Sequence, residues 1–225
     1  ESMYNLVKDF FSNDMDLNDL YDSEAIIWID WREYDEDVVR YFNDMMAEPI
    51  DIEIVSNGKP YGDDIVLKNG NKELQIPYGD EQDRDVTIKY FNGFVKPDYE
   101  VRWFTESLGN DTLGFTVLSG AEWAKLNDEF GADVVRYYFE PIGFESDMFN
   151  LDMDEVFALL ALRENSEGVN TQFSTQLDWI RIINKEKNLT EQKENGQIDL
   201  KQYMVAKKEL QQSKDDFIAA HGPMK

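Results

Sequence analysis

Cysteine is absent from this sequence of 225 residues, and histidine occurs only once, at position 221. Without cysteine the chain can form no disulfide bond, no thiolate nucleophile and no cysteine-ligated metal site. The single His221 lies close to the end of the sequence, where chains commonly fray. A catalytic triad or a histidine-ligated zinc site is therefore not predicted.

Positive charge is scarce. The sequence has 22 Lys and Arg against 47 Asp and Glu, a formal net charge of −25, and its pI is near 4.2. Such a surface repels phosphate groups, so direct binding of nucleic acid or of an anionic membrane is not predicted. No apolar run approaches the ~18 residues of a membrane span, and no signal segment opens the chain. These absences predict a soluble, cytoplasmic protein.

The acidic residues are unevenly distributed along the chain. Residues 170–225 contain nine Lys and Arg against eight Asp and Glu, a net of +1, whereas residues 1–169 contain 13 against 39, a net of −26. This asymmetry predicts an acidic domain over 1–169 and a near-neutral C-terminal helical hairpin over 170–225. The sequence leaves open whether the hairpin packs on the first domain.

The segment 24–46 reads as a strand followed directly by a helix. The apolar run at 25–29 is rich in β-branched and aromatic residues, which is typical of a strand buried on both faces. We expect the helix to begin with Asp35 as its N-cap, followed by further acidic residues in the first turn. Its apolar residues recur at helical spacing: Val38, Val39, Phe42, Met45 and Met46.

Short strands and tight turns dominate the rest of the first 150 residues. Further strands are predicted at 50–54, 65–67, 74–76, 86–91, 99–104, 113–118 and 134–139, with a helix from Ser119 to Gly131. Together they predict an α+β fold, in which about eight short strands form a mainly antiparallel sheet with helices on one face. Further helices are predicted from Asp152 onward, with a break at 165–168.

The last predicted helix, over 199–220, carries apolar residues at alternating steps of three and four. Its large side chains, Tyr203, Leu210 and Phe217, form a seam suited to close helix packing, within the chain or between copies. The segment 189–210 contains the turn Asn195-Gly196-Gln197-Ile198-Asp199 before Tyr203, Lys207 and Leu210. It resembles the short C-terminal helical hairpin family (SHOCT). The resemblance implies an oligomerisation or docking appendage, and in the first case the C-terminal helices would form a homo-oligomer.

The candidate functional site is the acidic loop after the first strand. It combines carboxylates with two aromatic residues: Asp30, Trp31, Glu33, Tyr34, Asp35, Glu36 and Asp37. Fixed negative charge beside aromatic rings suits a basic partner, whose Lys and Arg seek carboxylates and ring faces. The same residues could instead hold Mg²⁺ or act as a general acid and base, or simply form a solvated helix N-terminus.

Two other patterns in the sequence are weaker. The spacing of Asp14, Asp16 and Asn18 is that of the start of a calcium loop, but the required glycine and final glutamate are missing, so no metal site and no cofactor is predicted. Aromatic residues cluster in two of the predicted strands and suit either a ligand groove or core packing: Tyr99, Trp103, Phe104, Tyr137, Tyr138 and Phe139.

These observations favour a non-enzymatic binding protein that neutralises a basic partner. The hypothesis with the clearest physical basis is a bacterial immunity protein against a nuclease-type toxin, or a nucleic-acid mimic that blocks a DNA-binding protein. A toxin that grips nucleic acid must be basic, so a strongly acidic inhibitor would be steered to it. The alternatives are a carboxylate-based or metal-dependent hydrolase, and a scaffold protein that oligomerises through its C-terminal helices.

Overall fold

The computed structural model describes residues 2–60, 62–165 and 171–224. It divides into two compact units, unit 1 over Glu1–Leu151 and unit 2 over Asp152–Lys225. The boundary predicted between 169 and 170 lies outside the described residues, as does most of the predicted break at 165–168. With the division at 151, unit 1 holds 12 Lys and Arg against 34 Asp and Glu, a net of −22, and unit 2 holds 10 against 13, a net of −3.

Unit 1 contains seven strands among its described residues. They are β1 (Ile27–Asp30), β2 (Asp51–Val55), β3 (Asp64–Asn69), β4 (Lys72–Gln75), β5 (Tyr99–Phe104), β6 (Thr112–Ser119) and β7 (Phe139–Pro141). Its helices are α1 (Met3–Phe11), α2 (Leu17–Tyr21), α3 (Asp35–Asp44), α4 (Arg84–Val95), α5 (Gly120–Phe130) and α6 (Ala132–Tyr138), with a short 3₁₀ helix at Thr105–Ser107. The α+β class and the antiparallel pairing are confirmed.

The strands form two sheets, not the single sheet of about eight strands that the sequence predicted. A four-stranded sheet has the order β1-β6-β5-β7, and a three-stranded sheet has the order β2-β3-β4; all pairs are antiparallel. Ile27 lies opposite Phe115, and Val101 opposite Val117. The strand β1 pairs with β6 alone among the described strands, so it is an edge strand of this sheet.

Helices cover both faces of the four-stranded sheet, whereas the sequence predicted helices on one face. On one face, α1, α2, α5 and α6 pack around a cluster that includes Phe104, Trp123 and Phe139. On the other face Phe42 of α3 contacts both Phe91 of α4 and Phe115 of β6, with ring centroids 5.7 Å apart in each pair. Because strand side chains alternate between faces, β6 supplies apolar residues to both layers.

The predicted strand at 86–91 is wrong, because these residues lie within α4. The Asp83 side chain accepts a hydrogen bond from the Val86 N–H at 3.0 Å, which caps a helix at this point. Its apolar residues were interpreted as β-branched and aromatic strand formers. Ile88, Phe91 and Val95 are also three to four residues apart, however, and all three are buried on one side of α4.

The predicted strand at 134–139 is also wrong, since α6 occupies most of it and β7 begins only at Phe139. Val135 points from α6 into the core. The last carbonyls of α6 accept hydrogen bonds from the Thr105 hydroxyl, at 2.6 Å from Tyr137 O and 3.3 Å from Tyr138 O. A distant residue therefore satisfies this helix end, and the local pattern of apolar residues does not reveal it.

The predicted strands at 65–67 and 74–76 are confirmed as β3 and β4, which form a hairpin. Asn69 lies opposite Lys72, so Gly70 and Asn71 form a two-residue turn, and Gly70 has a positive φ of 58°. The preceding strand β2 extends this hairpin into the three-stranded sheet, with Ile54 opposite Ile65.

Unit 2 is helical in its described residues. Its helices are α7 (Met153–Asn165), α8 (Phe173–Glu194) and α9 (Leu200–His221). The helices α8 and α9 form an antiparallel hairpin in which the Trp179 and Phe217 rings lie 5.2 Å apart and Lys214 pairs with Glu186 at 2.7 Å. Asp199 forms a capping box with Gln202 at the start of α9. The prediction of one long last helix is confirmed.

Candidate functional site

The loop between β1 and α3 is held on its buried side by one arginine, Arg84. Its Nη1 donates to the Asp30 carbonyl at 2.8 Å, its Nη2 donates to the Glu33 carbonyl, and its Nε pairs with the carboxylate of Asp35. The side chains of Arg84 and Asp35 are 11% and 6% exposed, so the ion pair is nearly buried. One guanidinium thus fixes three points of the loop with charge-assisted hydrogen bonds.

Further contacts, made by Asp85 and Phe149, hold Arg84 itself in place. The Asp85 carboxylate is buried and accepts hydrogen bonds from the N–H groups of Met148, Phe149 and Asn150 at 2.9 to 3.1 Å. These bonds position the Phe149 ring 5.3 Å from the Arg84 guanidinium, as in a cation–π contact. Burial raises the pKa of the Asp85 carboxyl, an effect that the three N–H donors only partly offset.

The other oxygen of Asp35 also has a partner. The Thr87 hydroxyl donates to Asp35 Oδ2 at 3.0 Å, and the Tyr78 hydroxyl lies 2.6 Å from Thr87 Oγ1. Burial raises the pKa of Tyr78, so this hydroxyl stays protonated. The prediction that Asp35 caps α3 is wrong: Tyr34 occupies the N-cap position, and Asp35 is the first helical residue. Its side chain is nearly buried and is bound by Arg84 and Thr87, so it positions the loop.

The two aromatic residues of the loop are exposed. Trp31 is 64% and Tyr34 is 70% accessible to solvent. Large apolar side chains on a rigid loop have little conformational entropy left to lose, which makes them effective anchors in an interface. The loop that Arg84 holds in place therefore exposes Trp31 and Tyr34 to solvent.

The remaining acids of the loop have different surroundings. Asp30 accepts two hydrogen bonds from the Arg32 side chain at 3.1 Å and one from its N–H at 2.8 Å, and these lower the pKa of Asp30 to about 2. Glu33 accepts from the Tyr41 hydroxyl at 3.1 Å. Asp37 lies 3.6 Å from Arg40, and Glu36 is half-buried. Glu33, Glu36 and Asp37 are thus each partly exposed to solvent.

Acid–base or metal chemistry in this loop would need two free carboxylates close together. Asp30 and Asp35 instead each accept hydrogen bonds from an arginine. In the part of the chain that the structure describes, no group of three or more His, Cys, Asp and Glu side chains is arranged to hold a metal ion.

The exposed side of α3 extends the loop into a continuous acidic and aromatic strip, which we call the α3 face. Tyr34, Asp37, Tyr41 and Met45 lie three to four residues apart and so share one side of the helix. Tyr41 and Met45 are 37% and 46% exposed. The opposite side of α3 carries the buried core residues of the helix, so this face is its solvent side.

The α3 face ends at a groove of about 1010 Å³ beside the edge strand β1. Its walls come from six elements: the N-terminus of α1, the start of β1, the end of α3, the start of β5, the end of β6 and the first turn of α5. Tyr4, Trp28, Tyr41 and Tyr99 supply aromatic surface, and Trp28 packs on Tyr21 with centroids 4.4 Å apart. Sequence reasoning missed this groove, because its walls are distant in the chain.

The second aromatic pattern does not form a ligand groove. Trp103, Phe104 and Phe139 are buried in the core of unit 1, and the Trp103 indole donates to Ser107 Oγ at 3.1 Å. Tyr99 lies apart from them, in the groove beside β1.

Most cations of unit 1 already have acidic partners within the unit. At least seven of its 12 Lys and Arg residues form ion pairs: Lys8, Arg32, Arg40, Lys68, Arg84, Lys96 and Arg102. Among the described carboxylates of this unit only Asp35, Asp85 and Glu140 are buried, so most of the surplus of −22 lies at its surface. The sequence had placed this surplus in the first 169 residues.

The predicted oligomer seam on α9 is used at least partly within the chain. Phe217 is buried against Trp179, and Tyr203 and Leu210 are half-buried. The Lys193 ammonium lies 4.4 Å from the centroid of the Tyr203 ring, across the turn of the hairpin. The side of α9 that exposes apolar residues is a different one, with Leu200, Met204 and Val205 between 54% and 65% accessible.

In the comparisons with known proteins, no family model matches this sequence, and no curated protein or solved structure is significantly similar to it. The resemblance to the SHOCT hairpin thus depends on the residues of 189–210 alone. Among the described helices, none has the length and the apolar character needed to cross a membrane.

Proposed function

We propose that unit 1 is a binding module that neutralises a basic protein, in the manner of a bacterial immunity protein against a nuclease-type toxin or of a nucleic-acid mimic. The observation that carries this proposal is the α3 face with its adjoining loop. There Trp31 and Tyr34 stand exposed among Glu33, Glu36 and Asp37, on a backbone that the buried Arg84 holds.

Charge and shape would contribute separately to this interaction. A net charge of −22 on unit 1 attracts a basic surface over about a Debye length, ~10 Å at 0.1 M salt, which raises the association rate. The exposed rings act only after contact, where burial of their surface slows dissociation. A nuclease that binds nucleic acid through Lys and Arg would meet both features.

The proposal is tested by the kinetics of binding to small basic nucleases and DNA-binding proteins at several salt concentrations. We expect the association rate to fall by about tenfold or more as salt increases, with a much smaller change in dissociation. The triple variant E33Q/E36Q/D37N should slow association several-fold. Substitution of Trp31 by Ala should mainly accelerate dissociation, by roughly 30-fold if this ring is a hot spot.

Two controls separate a local effect from the loss of overall charge. The variant D80N/E81Q/D128N removes three exposed carboxylates from other parts of unit 1. It should slow association less than E33Q/E36Q/D37N does. Substitution of Lys207 and Lys208 by Gln on α9 should leave the association rate nearly unchanged. A flat salt response, or equal effects of the two triple variants, would contradict the proposal.

A second candidate function is self-association through α9, which the exposed side chains of Leu200, Met204 and Val205 favour. Apolar residues of this size, grouped on one side of a helix, commonly mark a contact surface. The scaffold role that we derived from the SHOCT resemblance would use this surface, in place of the seam at Tyr203, Leu210 and Phe217.

A further inference from the structure

We propose that the groove beside β1 receives an extended basic segment, with Lys or Arg side chains directed at its carboxylates and rings. This inference rests on the proposed function, because it assigns a location to one part of the basic partner. The groove adjoins the α3 face through Tyr41, which belongs to both. A single partner could therefore cover the two surfaces together.

The charged residues that line the groove are all acidic, so the groove favours a positively charged ligand. Glu24, Asp44 and Glu122 line it, and none of the described residues in its walls is a Lys, Arg or His. Glu122 is already engaged, since its carboxylate accepts hydrogen bonds from the Ser119 N–H and hydroxyl, both at 2.8 Å. Glu24 and Asp44 are exposed, so these two carboxylates are the ones placed to pair with a cation.

The rings of the groove are suited to the same ligand. Guanidinium and ammonium groups bind to aromatic faces, and the methylene stems of Arg and Lys pack on apolar surface. Trp28 is held in the wall by Tyr21 and by the close approach of the β6 backbone. A Cβ at Gly114 would lie 2.7 Å from Ile26 Cγ2 and 3.3 Å from Trp28 Cζ3. The Tyr99 hydroxyl accepts from the Glu48 N–H at 3.1 Å, which fixes a second ring.

The shape of the groove favours an extended segment over a single small cation. Three consecutive residues of β1, or adjacent to it, line the wall: Ile26, Ile27 and Trp28. Side chains of consecutive strand residues point to opposite faces, so a wall formed by all three follows the edge of the strand. Edge strands are common sites for binding extended chains. The volume of about 1010 Å³ exceeds what one cationic side chain needs.

The experiment is a titration of the full chain with a capped tetrapeptide of alternating arginine and valine, followed by backbone and indole NMR signals. We expect shifts to concentrate at Trp28, Met45 and the end of β6, with no such shifts from a tetrapeptide of alternating glutamate and valine. The variant E24Q/D44N should weaken peptide binding by about fivefold, the effect of two partly exposed ion pairs. The control variant D80N/E81Q, which loses the same charge elsewhere in unit 1, should weaken it much less.

The outcomes separate this inference from the proposed function. Shifts spread evenly over unit 1, or equal weakening by the two variants, would overturn the groove as a specific site while leaving the α3 face to bind a basic protein. Shifts confined to Trp31 and Tyr34 would do the same. If the peptide binds in the groove but no basic protein shows salt-dependent association, the proposed function fails and the groove stands as a site for basic segments.

Discussion

Unit 1 and unit 2 differ in the way that they use charge. Unit 1 carries −22 and buries an ion pair, Asp35 with Arg84, at the base of an exposed acidic loop. Unit 2 carries −3, and its pair Lys214 with Glu186 lies at the surface of a helical hairpin, with side chains 20% and 44% exposed. In unit 1 the buried pair of Arg84 and Asp35 fixes the shape of a surface loop. In unit 2 the pair of Lys214 and Glu186 is partly exposed, beside the apolar contact of Trp179 with Phe217.

The exposed apolar residues show a similar contrast. In unit 1 Trp31, Tyr34 and Tyr41 are exposed beside carboxylates, as expected of an interface that must stay soluble before it meets its partner. In unit 2 the exposed Leu200, Met204 and Val205 lie together on one helix. The proposed functions follow this difference: we propose a basic protein as the partner of unit 1 and an apolar helix as the partner of unit 2.

The largest expected effect concerns the buried ion pair. Replacing Arg84 by Met leaves the Asp35 carboxylate buried without its cation, and removal of one partner from such a pair costs about 3–5 kcal/mol of unfolding free energy. The matched change in unit 2, Lys214→Met, removes a partly exposed pair and should cost less than about 1 kcal/mol. Urea denaturation followed by circular dichroism measures both. Equal losses would show that the two pairs do not differ in the way proposed.

Substitution of one glycine in each unit compares a tightly packed position with an open one. Gly114→Ala places a Cβ against Ile26 and Trp28 in the packed interior of unit 1, and overpacking of this kind costs about 1–3 kcal/mol. Gly196 lies in the open hairpin turn of unit 2 with φ at 69° and has no neighbour near its Cβ position. Because Asn adopts this conformation readily, Gly196→Asn should cost about 0.5 kcal/mol or less. Thermal melting of the two variants tests this ranking, and a larger loss for the Asn variant would reverse it.

The exposed face of α9 should matter little for stability and more for association. The variant L200S/M204S changes side chains that are 65% and 58% exposed, so its unfolding free energy should shift by no more than about 0.5 kcal/mol. If α9 mediates self-association, the same variant should lower the mass found by light scattering. An unchanged mass with wild-type protein as an oligomer would assign the contact to another surface.

The smallest effect is the titration of Asp30. Its pKa is about 2 because Arg32 stabilises the carboxylate, whereas the ordinary value is 3.8. A depressed pKa in the folded state gives stability that is present above pH 3.8 and is lost as the pH falls toward 2. In Arg32→Gln the pKa of Asp30 should rise toward 3.8, which NMR titration of its carboxyl carbon measures. Arg40→Gln serves as the control, and a pKa that stays near 2 in Arg32→Gln would assign the shift to another cause.

Elements with strong local signals were predicted from the sequence. The helix α5 begins after Ser119 and ends at Gly131, as predicted, and the predicted strands at 65–67 and 74–76 are joined by the turn at Gly70. The capping box at Asp199 likewise starts α9 where the sequence predicted it. In each case the few residues that decide the structure lie within one turn of each other, so the sequence alone contains the physical cause.

The tertiary structure decided the rest. The apolar residues of α4 and α6 suit a strand or a helix, and the choice depends on contacts with distant partners, such as Thr105 at the end of α6. The acidic loop was identified from the sequence. The sequence also offers a sign that Arg84 is special, since it is the only Lys or Arg between Lys72 and Lys89. It did not pair Arg84 with Asp35, because 49 residues separate them. The groove beside β1 likewise exists only after six elements have packed, because no local pattern encodes the space between them.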